Sequence, residues 1–255
     1  MTDFMNGYED AGRAEAYAAL EFPNTYHLAY RDLPAIFAAH VRGRKALDFG
    51  CGTGRSTRFL RDHGFDATGI DISENMLQKA RSFDRSGDYR RIDGEAVGLA
   101  AGKAYDLILS AFTFDNIPGM EKKIRLLRGL AGLLGPAGRI VNIVSSPEIY
   151  RLEWASFSVR DFPENLRASS GDVVKIIQLD TKDKRPVEDI LWTDESYRET
   201  YRGAGLEIED VYRPLGRGDE PFAWVNETLI PPWVITVLIA GRSGNRNRER
   251  GREAP

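Results

Sequence analysis

The chain has 255 residues, 42% apolar and 29% charged, with a formal charge of −3, which fits one large domain with a sizeable core. Its longest apolar stretch, Trp233 to Ala240, is far too short to span a bilayer, and MTDFMNGYEDAGR lacks the basic start and apolar run of a secretory leader. The single cysteine, Cys51, excludes an internal disulfide and a Cys-based zinc cluster, so a cytoplasmic protein is expected.

Taken in chain order, Ala11–Leu20 and Arg31–Val41 read as helices separated by EFPNTYHLAY. Lys45–Phe49 is a strand ending in glycines, Thr53–His63 a helix, Ala67–Asp71 a second strand and Ser73 to about Ser82 a helix with Ser73 as N-cap. Tyr89–Ile92 is a short strand, Tyr105–Ser110 a buried one, Glu121–Leu134 a helix and Gly138–Ser145 another strand. Pro147–Ser158 is aromatic-rich and expected to be helical. Lys175–Asp180 and Val187–Thr193 alternate as a hairpin, and Asp194–Ala204 is a helix closed by Gly205. Leu206–Pro214 and Trp233–Ala240 are the last strands. Alternating strands and helices imply an α/β, doubly wound, Rossmann-like fold: a mostly parallel seven-stranded sheet with helices on both faces, plus an inserted cap or hairpin. The expected organisation is an N-terminal helical segment, 1–40, covering the site; a main domain, 41–240, with a cap over about 147–186; and a disordered basic tail, 241–255, with five Arg and two Glu. The acidic body gives no electrostatic reason to expect nucleic acid.

The string LDFGCGTGRSTRFL carries the most chemistry. A strand that turns into a helix through glycines admits a ligand close to the backbone, and Asp71, ending the next strand 17 residues after Gly54, suits the two hydroxyls of a ribose. A dinucleotide fingerprint is G-x-G-x-x-G; here the spacing is G-x-G-x-G, preceded by Asp48. A carboxylate there repels a pyrophosphate but suits a cationic ligand with an ammonium group, such as S-adenosylmethionine (SAM).

Asp-x-Gly-x-Gly-x-Gly after a first strand, with Asp71 ending the second, resembles the class I SAM-dependent methyltransferases. The resemblance implies that Gly50, Gly52 and Gly54 line the methionine and ribose, that Asp48 orients the ammonium and that Asp71 binds the ribose hydroxyls. It further implies that Ile72 and Met76 pack on the adenine, with Asp93 and Gly94 at its amino group and Ala111 at the end of the fourth strand. Cys51, between the first two glycines, is expected among the cofactor-binding residues as a small apolar member of the loop and not as a nucleophile, since no base signature accompanies it.

Methyl transfer needs alignment of the nucleophile, exclusion of water and, for some acceptors, removal of a proton. The loop Ala111–Ile117 leaves the carboxyl edge of the sheet without the Asn/Asp-Pro-Pro-aromatic motif of relatives that methylate nucleobases or glutamine, which favours a small acceptor. Tyr26, Tyr30, Phe114, Asn116, Tyr150, Trp154 and Trp224 are the expected substrate-binding residues, with His27 as first candidate base and Asp115 and Glu148 behind it. Arg31 is a candidate for the SAM carboxylate. His27, His40 and His63 have no ligand spacing, so no metal is expected. The expectation is a SAM-dependent methyltransferase, with S-adenosylhomocysteine (SAH) as product, acting at oxygen or nitrogen of an aromatic or hydrophobic metabolite of secondary metabolism. It is expected to need no nucleic acid or membrane, and a homodimer through the hairpin is open. The alternatives are an RNA or protein methyltransferase and a SAM-binding protein that does not methylate.

Overall fold

The computed structural model describes residues 21–93 and 104–241. The expected helix Ala11–Leu20, Gly94 and the tail beyond Gly241 lie outside the described residues. Two short helices, α1 (Thr25–Arg31) and α2 (Leu33–His40), precede strand β1 (Lys45–Phe49). Helix α3 (Arg55–Asp62), strand β2 (Asp66–Asp71), helix α4 (Glu74–Phe83) and strand β3 (Asp88–Arg91) follow, and the chain then crosses to β4 (Tyr105–Ala111). Helix α5 (Met120–Leu133) leads to β5 (Leu134–Ser145). Beyond an insertion, α6 (Asp194–Gly203) precedes the last two strands of the main sheet, β9 (Leu206–Tyr212) and β10 (Trp233–Ala240).

The seven strands lie in the order β3-β2-β1-β4-β5-β10-β9, all parallel except β10, which runs antiparallel to both neighbours. The buried runs Ala46–Phe49 and Leu107–Leu109 suit strands covered on both faces by crossover helices. β1 pairs with β2 on one side and β4 on the other, so the sheet reverses its winding beside β1. In open α/β sheets, ligands bind at the carboxyl ends of strands at such a switch point.

Between β5 and α6 the chain builds a second, three-stranded antiparallel sheet from β6 (Phe157–Ser158), β7 (Val173–Gln178) and β8 (Val187–Ile190). It continues past residue 186, because β8 pairs with β7 from Val187↔Ile176 to Ile190↔Val173.

Three elements depart from the sequence reading. Residues 25–31 form α1, which buries Tyr26, Leu28, Ala29 and Tyr30 against the sheet, and the next helix begins only at Leu33, with Pro34 in its first turn. Pro147–Ser158 makes one 3₁₀ turn, Pro147–Tyr150, and then a turn closed by the Trp154 amide on the Phe157 carbonyl (2.9 Å). Side-chain acceptors capture amides that a helix would use: Ala155 N–H donates to Glu227 Oε1 (2.8 Å) and Ser156 N–H to Thr25 Oγ1 (3.0 Å). Strand β5 starts at Leu134, whose partner is Tyr105, but residues 135–138 leave the ladder before Arg139 pairs with Leu107. Pro136 has no N–H to donate there.

Candidate active site

The turn from β1 into α3 is held by backbone bonds: Gly50 and Cys51 N–H both donate to the Ile70 carbonyl (2.8 and 3.0 Å). Gly50 has φ +72°, and a Cβ on it would overlap the Thr113 side chain, whose hydroxyl donates to the Phe49 carbonyl (3.0 Å). Gly54 is likewise backed by the Tyr89 ring. Gly52 differs, because a Cβ there would meet only Met76 Cε, at 3.7 Å. Of the three glycines expected to line a ligand, Gly50 and Gly54 are thus closed by protein side chains on their Cβ sides. Only Gly52 leaves that side open.

Asp71 ties this loop to the next helix. Its Oδ2 accepts from Gly52 N–H and its Oδ1 from Ser73 N–H, both at 2.8 Å, while Ser73 Oγ caps α4 at Met76 N–H. Each carboxylate oxygen keeps a further acceptor site, which suits a diol. Ile72 is exposed and Met76 buried. Asp93 is exposed just beyond Ile92, whose N–H donates to the Asp71 carbonyl (2.9 Å).

Asp48 lies beneath the loop, fully buried. Ser56 and Thr57 hydroxyls donate to its Oδ2, both at 2.6 Å, and Oδ1 has no hydrogen-bond partner among the described residues. Burial pushes its pKa up to about 6. An orphaned carboxylate oxygen beside a loop with one open glycine fits a cationic ligand. The buried Cys51 thiol is pushed up by burial and by Asp48, which suits packing rather than nucleophilic chemistry.

A second feature lies at the carboxyl ends of β4 and β5, under the inserted sheet. Tyr26, Phe112, Phe157 and Trp233 give a small cavity aromatic walls, and Asp115 and Asp189 give it carboxylates; its volume is about 30 Å³. Tyr26 stacks on Trp233 (5.8 Å) and meets Phe112 and Phe157 edge-on, and its hydroxyl accepts from Gln178 Nε2 (3.0 Å). Asp115 Oδ2 accepts from Ser145 N–H (3.0 Å) and Oγ (2.9 Å), and Oδ1 from the Tyr197 hydroxyl (3.3 Å). Asp189 Oδ2 accepts from the Tyr150 hydroxyl (3.2 Å). Burial raises Asp115 to about 6, and burial together with Asp115 raises Asp189 to about 8. Lys123, fully buried on α5, donates to the Phe114 carbonyl and faces the Trp192 and Tyr197 rings; burial lowers it to about 8.

Of the residues expected from sequence to bind substrate, Tyr26 and Asn116 line this cavity and Tyr150 stands directly behind Asp189. The others lie elsewhere. His27 is on the outer side of α1, 3.4 Å from Glu220 and against Phe222 (4.9 Å), because the helix turns its neighbours Tyr26 and Leu28 inward. Tyr30 packs on Phe22 (4.2 Å) and Phe59 (5.2 Å), Phe114 is buried in the core against Phe49, and the buried Trp154 indole donates to the Ile149 carbonyl. Trp224 donates to the Arg217 carbonyl in a surface loop. Arg31 is engaged by Asp32 and Glu220. Glu148 caps no wall of the cavity. Sequence reading missed Asp189, Gln178, Phe112 and Trp233. Asp189 had a signal, since it falls in step with Val187 on the inward face of β8. Among the described residues no helix is long and apolar enough to cross a membrane, and no group of three or more His, Cys, Asp or Glu is placed to hold a metal.

Sheet order, glycine loop and ribose-type carboxylate are those of the class I SAM-dependent methyltransferases, and the chain carries a methyltransferase domain of that type, with SAM as cofactor. Residues 47–140 match the family model described as a methyltransferase domain. A ubiquinone biosynthesis O-methyltransferase of Stutzerimonas stutzeri is 28% identical over 185 residues, 69% of this chain and 71% of that protein. A cypemycin N-terminal methyltransferase of a Streptomyces species is 38% identical over 100 residues, 38% of this chain and 40% of that one. Among solved structures, the CcbJ methyltransferase of Streptomyces caelestis matches with a TM-score of 0.62 at 19% identity, covering 89% of this chain and 96% of that one. A SAM-dependent methyltransferase of Clostridium acetobutylicum matches at 0.60 and 13%, covering 88% and 94%.

Proposed function

We propose that the chain transfers the methyl group of SAM to a nitrogen or oxygen of a small molecule seated in the aromatic cavity. The observation that carries this is the make-up of that cavity's walls: α1, the inserted sheet and the carboxyl ends of β4 and β5 bring aromatic rings and two buried carboxylates around one small space. At about 30 Å³ it has room for little more than a water-sized group, so the cap must yield to admit an acceptor, and the small size of the space favours a small molecule. Both kinds of relative named above, an O-methyltransferase of ubiquinone biosynthesis and an N-terminal methyltransferase, are compatible with the site.

In this reading Asp71 and the open side of Gly52 hold the adenosine end, and Asp48 balances the ligand's positive charge from below. SAM supplies an electrophilic methyl carbon already activated by its sulfonium. The protein's own work is then to orient the acceptor, exclude water and take up a proton. Residues 21–40 form part of the cover, through Tyr26.

Calorimetric titration with SAH and, separately, NADH tests the cofactor reading. Micromolar SAH binding without NADH binding is expected, and the reverse would overturn it. SAH production is then followed with small metabolites, bulk RNA and peptides as acceptors. Turnover confined to small molecules, and unchanged on removing residues 241–255, is expected. Turnover on RNA that is lost with those residues would overturn the small-molecule reading.

A further inference from the structure

We infer that the acceptor is an amine, bound as its ammonium by the Asp115–Asp189 pair, and that Asp189 takes up the proton that frees the nitrogen lone pair. The inference rests on the methyltransferase reading above and names the substrate class of that cavity.

Charge is the first ground. Two carboxylates, 3% and 7% exposed, line one small cavity, while Lys123 is the cation that acts on both. Ionised together these groups leave one negative charge unmatched in a water-poor space, which is costly unless a cation arrives. Asp115 is the better satisfied of the two, with three hydrogen bonds besides the influence of Lys123. Asp189 accepts only the Tyr150 hydroxyl, on Oδ2; its Oδ1 accepts no hydrogen bond from the described residues. Thus a side chain more than nine-tenths buried lines the cavity with one carboxylate oxygen unused.

The walls are the second ground. Tyr26, Phe112, Phe157 and Trp233 offer π faces and edges around the same space, a surround that favours an organic cation over an anion. Among the described residues no Lys or Arg lines the cavity to receive a carboxylate or phosphate.

The chemistry balances with these groups alone. The substrate R–NH3+ gives one proton to Asp189, leaving R–NH2 and a neutral carboxyl. The nitrogen lone pair then forms the N–CH3 bond as the C–S bond breaks, its electrons going to sulfur, so that neutral SAH and R–NH2–CH3+ result. An ordinary carboxylate is a poor base for an alkylammonium, whose pKa is near 10. Raised to about 8, Asp189 narrows that gap by several units. Tyr150, Tyr197, Asp115 and Lys123 are the other titratable groups packed around it.

The test uses the SAH-bound full-length protein and a panel pairing arylalkyl and alkyl amines with isosteric alcohols and carboxylates, and with phenols, among them 2-phenylethylamine, 2-phenylethanol and phenylacetate. Thermal stabilisation by amines and not by their isosteres is expected, with at least ten-fold weaker amine binding in Asp189→Asn while SAH affinity is retained. At pH 7, calorimetry in buffers of differing ionisation enthalpy should show close to one proton released per amine bound to the wild type and close to none for the variant. Stabilisation by alcohols, phenols or acids instead, no response to any amine, or amine binding indifferent to Asp189→Asn would overturn the inference. Loss of SAH binding in the wild type would instead overturn the methyltransferase reading itself, so the two failures are distinguishable.

Discussion

Three glycines in one loop carry different loads. Gly50 has its Cβ side filled by Thr113 and φ +72°, so Gly50→Ala combines overlap with backbone strain and should lower Tm sharply. Gly52, at φ +52° with open space beside it, should tolerate alanine at about 1–2 kcal/mol of strain, yet lose SAH affinity because the added methyl occupies the ligand's side. Comparing the two variants by thermal melting and SAH titration checks this; equal SAH losses at matched stability would contradict it. Asp71→Ala should weaken SAH binding by about 1.5–3 kcal/mol, the cost of removing a charged acceptor, and also release the Gly52 and Ser73 amides it holds. The buried aspartates act on stability in a direction set by their shifts. Asp189 is protonated up to about 8 when folded but only to about 4 when unfolded, so unfolding releases a proton between those values and stability falls as pH rises through that window. Asp189→Asn removes that slope. Its advantage over wild type should be absent near pH 4 and grow by up to about 1.4 kcal/mol per pH unit toward pH 8, as read from denaturant melts across that range.

Among the elements, the cover of the cavity hangs on one acidic side chain. Glu227, fully buried in the segment before β10, accepts the Thr25 hydroxyl of α1 (2.6 Å), the Ala155 amide of the insertion (2.8 Å) and the amides of Val225 (2.8 Å) and Asn226 (3.1 Å). It joins three stretches of chain far apart in sequence. Glu227→Ala strands four donors, at about 1–3 kcal/mol for each one left without water, and should lower Tm and loosen α1 and the insertion together. Hydrogen exchange should show faster exchange in both segments with the β1–β4 core unchanged; exchange raised in one segment alone would count against a shared anchor. Helix α4 offers a milder contrast, since Ser73→Ala removes only its N-cap bond and should cost about 1 kcal/mol.

At the scale of the whole molecule, the parallel sheet supplies a rigid floor whose switch point holds the cofactor side. The inserted sheet and α1 supply a roof, and the proposed acceptor cavity lies under its inner face. The floor is held by continuous apolar strands; the roof packs its apolar residues into the same core and is tied further by hydrogen bonds between segments distant in sequence. Opening for an acceptor should therefore occur in the roof. Saturation with SAH together with a bound acceptor should protect residues 25–31 and 154–190 from exchange more than SAH does alone.

Strand and helix order, the glycine turn, Asp71 and the N-cap at Ser73 were legible along the chain, because each depends on neighbours within a few residues: period, turn chemistry, capping. So was the cofactor class, since it rests on the spacing of one loop. The acceptor side was legible only in part. A linear reading ranks His27 ahead of Asp115 as a base; helix phase turns His27 to Glu220 at the surface, whereas Asp115 shares a cavity with Asp189, 74 residues away in sequence. Local pattern determined the elements and the cofactor loop. Only tertiary packing decided which carboxylates are buried side by side, because burial and mutual repulsion arise where distant segments meet.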